Sequence, residues 1–600
     1  MVALGVNMIA AQGLQLAHVR IDPWTVLPLS LGLPAFGWAW VSRRRRQAGS
    51  AGPRDADKSM QMNRLDVGLV SFAMLLGLFI WCIAIPSLSS VLPNVDGTHH
   101  GLFASRVLTL GTIDPQQVLA GDLASGKPTS HYYPLALHLT TALISGITNA
   151  PVSAVLTVGY VLASSVLLPL GMFVLTRRLL PQLSLAAPVA AVIAASFPWF
   201  PHVVILWGMV PTIVAMSHVP AGIDALWRRH GDGSAVGVGI ALGIAGYGVF
   251  TEHSSELVTI GLYGLLLALA GRSGRAPDES RRLLATWGVG AGVIGALIAP
   301  QVHQLIVGAG EATTFAGNRS TVSSSGGQGP VWIVALAVVN PLVLVFAVVG
   351  LVIAVARRWC PTWAWCLAIT SALCASTAVH APVISALTAP WYSSWDRISY
   401  MFSYFEAVYG AIGVLVFVRS MTGALKRREA VRPRLVTAMV LSLVGVVAVA
   451  VVLTESVGLA AAGYRSNSLI GPDQRAGFDW LASRVGPGGR VLNDFSDGSG
   501  WMATLDRVTP VFAVKPDPPP LDPQTVWGDR WYLLTHAGSL STDPRAKAAA
   551  RKWAVRYVYI NDKSFGQLGR RLSAHVLSKS SAYQQVWKRG AVTIFAIVVP

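Results

Sequence analysis

Apolar runs of about 17 to 25 residues, separated by short polar or basic stretches, dominate the chain from residue 24 to residue 455. A hydrocarbon core of about 30 Å takes roughly 20 helical residues to cross, so each such run predicts a membrane span. Twelve runs read this way: 24–41, 67–90, 152–176, 184–201, 203–224, 235–250, 255–271, 283–302, 331–356, 361–379, 398–419 and 434–455. A further run, 134–147, is short for a span, and Pro134 suits the first turn of a helix.

Basic residues orient these runs. With Arg43–Arg46 on the cytoplasmic side and the spans threaded alternately, Arg177–Arg178, Arg228–Arg229, the loop Arg272–Arg282, Arg357–Arg358 and Lys426–Arg428 all fall on that side. That is the positive-inside pattern. It holds only if 134–147 lies along the opposite surface instead of crossing. The same threading then places Leu92–Pro115, Glu252–His253, the Gly/Ser-rich loop 303–330, Pro390–Tyr400 and all of 465–600 on the extracytoplasmic side.

Composition agrees with this picture. The 600 residues are 53% hydrophobic and 12% charged, against roughly 25% charged in a soluble domain. The expected product is a multi-pass protein of the plasma membrane. The net charge of +18 sits in short clusters between apolar runs, with no zinc-finger spacing and no long basic stripe, which argues against nucleic acid. Cys82, Cys360, Cys366 and Cys374 all lie in apolar runs and suggest no disulfide framework. Met1 to Ala17 lacks the basic start of a secretory signal.

Three regions follow. Residues 1–66 carry an N-terminal span and a basic cytoplasmic linker. Residues 67–460 form a multi-span domain with a large first extracytoplasmic loop, 91–133. Residues 465–600 are richer in charge and proline. There, "DQRAGFDWLASRV" predicts an amphipathic helix, "GRVLND" and "RYVYIND" predict buried strands, and "YQQVWKRGAVTIFAI" predicts a closing hairpin. The fold class is a polytopic α-helical membrane protein with a small C-terminal extracytoplasmic α/β domain.

Candidate chemistry gathers on the side opposite the basic clusters. "LPNVDGTHHGLFASRVLTLGTIDP", Leu92 to Pro115, carries Asp96, His99, His100 and Asp114 straight after a span. Charged groups beside hydrocarbon are costly unless solvated or paired. An aspartate here is suited to act as general base on a hydroxyl. Asp96 with the two histidines is also a candidate divalent-metal set, although neighbours on a helix do not share a face. "SHYYPLALH" offers His131, Tyr132 and Tyr133, as sugar contacts or as interfacial anchors. "TEHSSE" holds Glu252, His253 and Glu256, with the two acids one turn apart on one helical face; they line a site or favour a helix start. "PWYSSWDRISYMFSYFE" supplies Tyr392, Asp396 and Arg397, and arginine clamps phosphate with two bonds; the bland alternative is an Asp396–Arg397 surface pair. Glu406 lies deeper in a span, where an acid is a functional hypothesis by default. The loop 303–330 reads as a lid or as disorder.

On these motifs the chain resembles the GT-C membrane glycosyltransferases. "NVDGTHHGLFASRVLTLGTIDP" looks like their acidic motif after a span, "HYYPLALH" like the proline-led surface helix, and "WYSSWDRISYMF" like a late outer-loop motif. The run "FPWFPHVVILWGMVPTIVAMSHVP" and the Ala/Val/Gly-rich composition are similar to actinobacterial, mycobacterial-type arabinofuranosyl- and mannosyltransferases of the cell envelope. The resemblance implies a polyprenyl-phosphate sugar donor and an envelope glycan or lipid acceptor. It implies Asp96 as the catalytic aspartate and Arg397 at the donor phosphate. His131, Tyr132, Glu252 and His253 would line the sugar site. Many family members pair two acids; here Gly97 follows Asp96, so a second acid would come from Asp114 or Glu252. Two other classes stay open: a transporter or flippase for a lipid-linked sugar, and a non-catalytic envelope assembly protein. No cofactor is required by any motif, with a divalent metal as the one candidate.

Overall fold

The computed structural model describes residues 1–32, 62–119, 133–227, 234–270, 277–302, 341–377, 388, 391, 395–426, 455–467, 469–514, 526–564 and 571–598. Its helices in chain order begin with α1 (Val2–Leu16), α2 (Arg64–Ala84), α3 (Asn94–Leu110) and α4 (Ala136–Thr148). Then come α5 (Val152–Leu179), α6 (Ala186–Trp207), α7 (Val210–Trp227), α8 (Ala235–Glu252), α9 (Ser254–Ala270) and α10 (Pro277–Ile298). The bundle continues with α11 (Pro341–Ala356), α12 (Pro361–Ser376), α13 (Trp395–Ser399), α14 (Phe402–Lys426) and α15 (Val457–Asn467).

Local chemistry explains where the helices start and stop. Asn63 and Asp66 form a reciprocal capping box at the head of α2, with each side chain accepting the other's backbone N–H. Pro93 precedes α3 in an extended conformation without a side-chain cap, and Gly111, in the left-handed region, ends the helix. The helix expected over 134–147 is α4. Its 13 residues reach only about 20 Å, too short to cross, and it packs against α3 and α1.

Among the described residues six helices are long and apolar enough to span a membrane: Arg64–Ala84, Val152–Leu179, Ala186–Trp207, Ala235–Glu252, Asp278–Gln301 and Arg397–Met421. The expected twelve are not confirmed among the described residues, and the expected runs 24–41 and 331–356 lie partly outside them. Within the described residues α9 has 17 residues and α11 and α12 have 16 each, and α7 starts at Val210 instead of 203 because residues 198–207 finish the preceding helix. The run 434–455 lies outside the described residues, apart from Glu455. Helix α14 is the central element, packed on α6 and α11, whereas α10 is peripheral and rests on α8. Two buried acids tie the bundle together: Asp66 lies 3.5 Å from Arg177, and Asp224 pairs with Arg178.

The C-terminal region folds into α16 (Pro472–Ala482), β1 (Arg490–Leu492), α17 (Val526–Thr535), α18 (Pro544–Lys552), β2 (Val555–Asn561), β3 (Tyr583–Arg589) and β4 (Val592–Ile597). The sheet order is β1-β2-β4-β3, with β1 parallel to β2 and the remaining pairs antiparallel. Its apolar side chains, among them Leu492, Val558 and Phe595, make a core that also takes in Leu102 of α3. The C-terminal domain is thus seated on the helix that carries Asp96.

Candidate functional site

The site is organised around α3. Asn94 enters the helix with a positive φ and donates from Nδ2 to the Leu206 carbonyl at 3.0 Å. Gly208, also at positive φ, presses on the same turn: a Cβ there would lie 2.5 Å from the Pro93 carbonyl oxygen and 2.6 Å from Gly97 N. Only glycine fits that contact. The first turn of α3 is thereby pinned to the end of α6. Gly97 itself has no room for a side chain, since its Cβ would meet the Leu92 Cβ at 2.6 Å. The paired acid of the resemblance is sterically shut out at this position.

Asp96 is half-exposed on the first turn, with His99 Nδ1 4.0 Å from its Oδ1. His100 lies about 100° round the helix from His99 and faces α4. Its Nδ1 lies 3.0 Å from Nε2 of His138 on α4, one ring donating and the other accepting. Phe103 packs edge-on against His138 and Tyr133, and Tyr133 lies tilted against His138. Burial drives the His100 pKa well below its ordinary value, helped by His138, His99, His253 and Arg397. Burial takes His138 down to about 3. Both rings are neutral at pH 7, and Arg397 and His253 lie within electrostatic reach of His100.

His253 occupies the break between α8 and α9. Arg397, on α13, donates from Nη1 to His253 Nε2 at 3.1 Å. A guanidinium only donates, so Nε2 accepts and the ring proton sits on Nδ1. Nδ1 faces the Glu256 Oε2 at 2.5 Å, and Ser255 Oγ donates to the same oxygen at 2.7 Å. Arg397, His253 and Glu256 therefore form one continuous chain of charge-assisted hydrogen bonds.

Two sequence expectations are corrected. Glu252 and Glu256 do not share a helical face, because the chain breaks at His253 and they belong to different helices. Glu252 is fully buried, and neither of its oxygens has a hydrogen-bond partner among the described residues. Asp114 accepts from Gln116 N and Gln117 Nε2 as a helix N-cap beyond the far end of α3, about 20 Å of helix from Asp96. It is not brought to the site. His131, Tyr132, Tyr392, the Asp396 side chain and the loop 303–330 lie outside the described residues. His138 joins the site without a role having been read for it in the sequence, where it shows only as a polar residue in an apolar helix, and Glu256 joins it as the partner of His253 instead of Glu252.

Beneath the His253–Glu256 corner lies a cavity of about 560 Å³ with mainly apolar walls from α7, α8, α9 and α10. Val249 and Ile260 line it, each one helical turn from His253 or Glu256. Among the described residues no three His, Cys, Asp or Glu side chains converge on a common point suited to a metal. The Asp96, His99 and His100 set does not fit one, because His100 Nδ1 is already engaged with Nε2 of His138 and its ring is buried against α4.

The chain belongs to a family described as a family of unknown function, DUF6541, whose pattern matches residues 1–598. No curated protein matches it in sequence. Among solved structures it is similar to ArnT from Cupriavidus metallidurans in the apo state, at 12% identity and a TM-score of 0.50, over 89% of this chain and 99% of that one. It is similar to the Archaeoglobus fulgidus oligosaccharyltransferase in the apo form, at 13% identity and a TM-score of 0.49, over 84% and 70% of the two chains. The arabinofuranosyltransferase AftD from Mycobacteria matches at 15% identity and a TM-score of 0.46, over 89% of this chain and 42% of its own. The likeness to ArnT along nearly its whole length shows the GT-C fold, that of a multi-pass membrane protein.

Proposed function

We propose that this protein is a membrane glycosyltransferase that moves a sugar from a polyprenyl-phosphate donor to an envelope glycan or lipid acceptor on the extracytoplasmic face. The observation that carries the reading is the Arg397–His253–Glu256 chain, within electrostatic reach of His100 on the Asp96 helix and one turn above an apolar cavity. A lipid-linked phosphate needs both halves of that arrangement: an apolar space for the tail and a fixed cation at the membrane surface. The cavity is within the usual size of a ligand site.

In this mechanism the prenyl tail occupies the cavity and the donor phosphate meets the Arg397 guanidinium. The Glu256 carboxylate fixes the His253 tautomer, and His253 Nε2 holds Arg397 in place. Asp96, half-exposed and facing solvent, takes the proton from the acceptor hydroxyl. The hydroxyl oxygen bonds to the anomeric carbon as the bond from that carbon to the phosphate oxygen breaks. The polyprenyl phosphate leaves with its extra negative charge against Arg397. The neutral His100–His138 pair sets the apolar, proton-poor flank of α3 and takes no part in proton transfer.

The test is transfer from radiolabelled polyprenyl-phosphate sugars in membranes, comparing wild type with Asp96→Asn, with and without chelator. Loss of turnover in the variant with intact folding is the expected result. Equal turnover in both would overturn the role of Asp96. No turnover by well-folded wild type with any donor would favour a transporter or an assembly protein.

A further inference from the structure

We infer that the C-terminal domain positions the Asp96 helix through a tryptophan plug, Trp501 seated in a notch at Gly101, so that the domain is part of the catalytic apparatus. This rests on the reading of Asp96 as the acceptor base.

Helix α3 shows two working faces. His100 and Phe103 point to α4. Thr98, Gly101 and Leu102, at helical spacing, point to the C-terminal domain. Leu102 belongs to that domain's core beside Leu492 and Phe495. At Gly101 a Cβ would lie 2.3 Å from Cζ3 and 2.6 Å from Cη2 of Trp501, which is 1% exposed. At Gly500 a Cβ would lie 2.9 Å from Thr98 Cγ2. Glycine weakens a helix interior relative to alanine. Here the space it leaves is filled by the six-membered ring of Trp501.

The plug is held from behind by a network the proposed chemistry does not use. Asn493 donates from Nδ2 to Ser499 Oγ at 2.9 Å and to the Phe512 carbonyl at 2.8 Å, and accepts from Phe512 N at 2.8 Å. Asp494 accepts from Ser496 N and Oγ and from Arg571 N. Asp497 accepts from Ser499 N at 2.9 Å. All of Asn493, Asp494, Ser496, Asp497 and Ser499 are buried. A satisfied buried network of this kind fixes one conformation. Asn493–Trp501 is therefore a stiff loop pressing on one side of α3, while Gly208 and Leu206 hold its first turn on the other. Trp501 is a positioning residue: it touches no reacting atom and sets where Asp96 stands.

The experiment uses the full chain in lipid nanodiscs. Gly101→Ala, Trp501→Phe and the double variant are compared with wild type by amide hydrogen exchange over residues 94–110 and by sugar transfer from radiolabelled polyprenyl-phosphoryl arabinose and mannose. Each single variant spoils the fit, one by filling the notch and one by shrinking the plug. The expected result is faster exchange in α3 and kcat lower by about tenfold in each, with the donor KM little changed. The double variant, with a smaller plug in a smaller notch, regains most of the protection and the rate. Unchanged α3 exchange in both single variants overturns the inference, and so does a double variant no better than the worse single. If wild type transfers neither sugar, the exchange measurements still decide the plug, and it is the transferase reading with these donors that fails.

Discussion

Arg397 donates to Nε2 of His253 at 3.1 Å across 144 residues of sequence. This single bond fixes the histidine's tautomer, directs its other nitrogen at Glu256 and joins the elements into one hydrogen-bonded corner that holds the Arg397 cation. If the corner receives a phosphate, Glu256→Gln leaves the shape intact but removes the charge that anchors His253. Donor KM should then rise by about tenfold with a smaller change in kcat, measured by initial rates against donor concentration. Arg397→Lys should behave similarly, because a lysine cannot bind His253 and phosphate through one planar fork.

Asp96→Asn should lower kcat by about a hundredfold or more, the usual share of a general base. Because Asp96 is half-exposed, its replacement should change unfolding stability by no more than about 0.5 kcal/mol. A thermal melt run beside the transfer assay separates loss of chemistry from loss of fold.

Gly97→Asp would place a second acid next to Asp96, and it should fail. The Cβ has to enter at 2.6 Å from the Leu92 Cβ, so overpacking should cost about 1–3 kcal/mol. The variant should melt lower and show no metal-dependent gain in transfer. A stable Gly97→Asp protein with chelator-sensitive turnover would contradict the packing argument.

The His100–His138 pair predicts an acid-side loss of stability. Burial depresses both pKa values, that of His138 to about 3, below an unfolded value near 6.5. Above pH 6.5 both states carry neutral rings and no stability is lost. As pH falls from about 6.5 toward 3 the unfolded chain binds protons that the native pair refuses, so stability declines by up to about 1.4 kcal/mol per pH unit for each ring. His138→Phe should flatten that slope in melts followed between pH 7 and pH 4.5.

Asp224 is 2% exposed and pairs with Arg178. Asp224→Ala leaves the arginine's charge without that partner in the bundle and should cost about 3–5 kcal/mol, read as a lower melting temperature. Replacing both residues by alanine should cost less than the sum of the two single changes.

How much of this was legible beforehand depends on how local each feature is. The short helix α4 could be read from Pro134 and a run too short to cross. The strands "GRVLND" and "RYVYIND" could be read from apolar runs ended by turn residues, and both segments hold strands in the sheet. The placing of Glu252 and Glu256 on one face could not, because the pattern continues through His253 while the backbone does not. Asp114 looked like a second site acid only because nothing in the sequence shows that α3 runs straight for its full 17 residues and carries it away.

By itself the sequence determined the membrane class, the apolar helical character of the bundle, the α/β character of the C-terminal region and the candidates Asp96, His253 and Arg397. These follow from composition and from periodicities of two and 3.6 residues, which are properties of one segment at a time. The tertiary structure decided which polar residues meet: His100 with His138, 38 residues apart, Arg397 with His253, and Trp501 with Gly101. Such contacts depend on how helices cross and how closely their backbones approach, and no single segment carries that information.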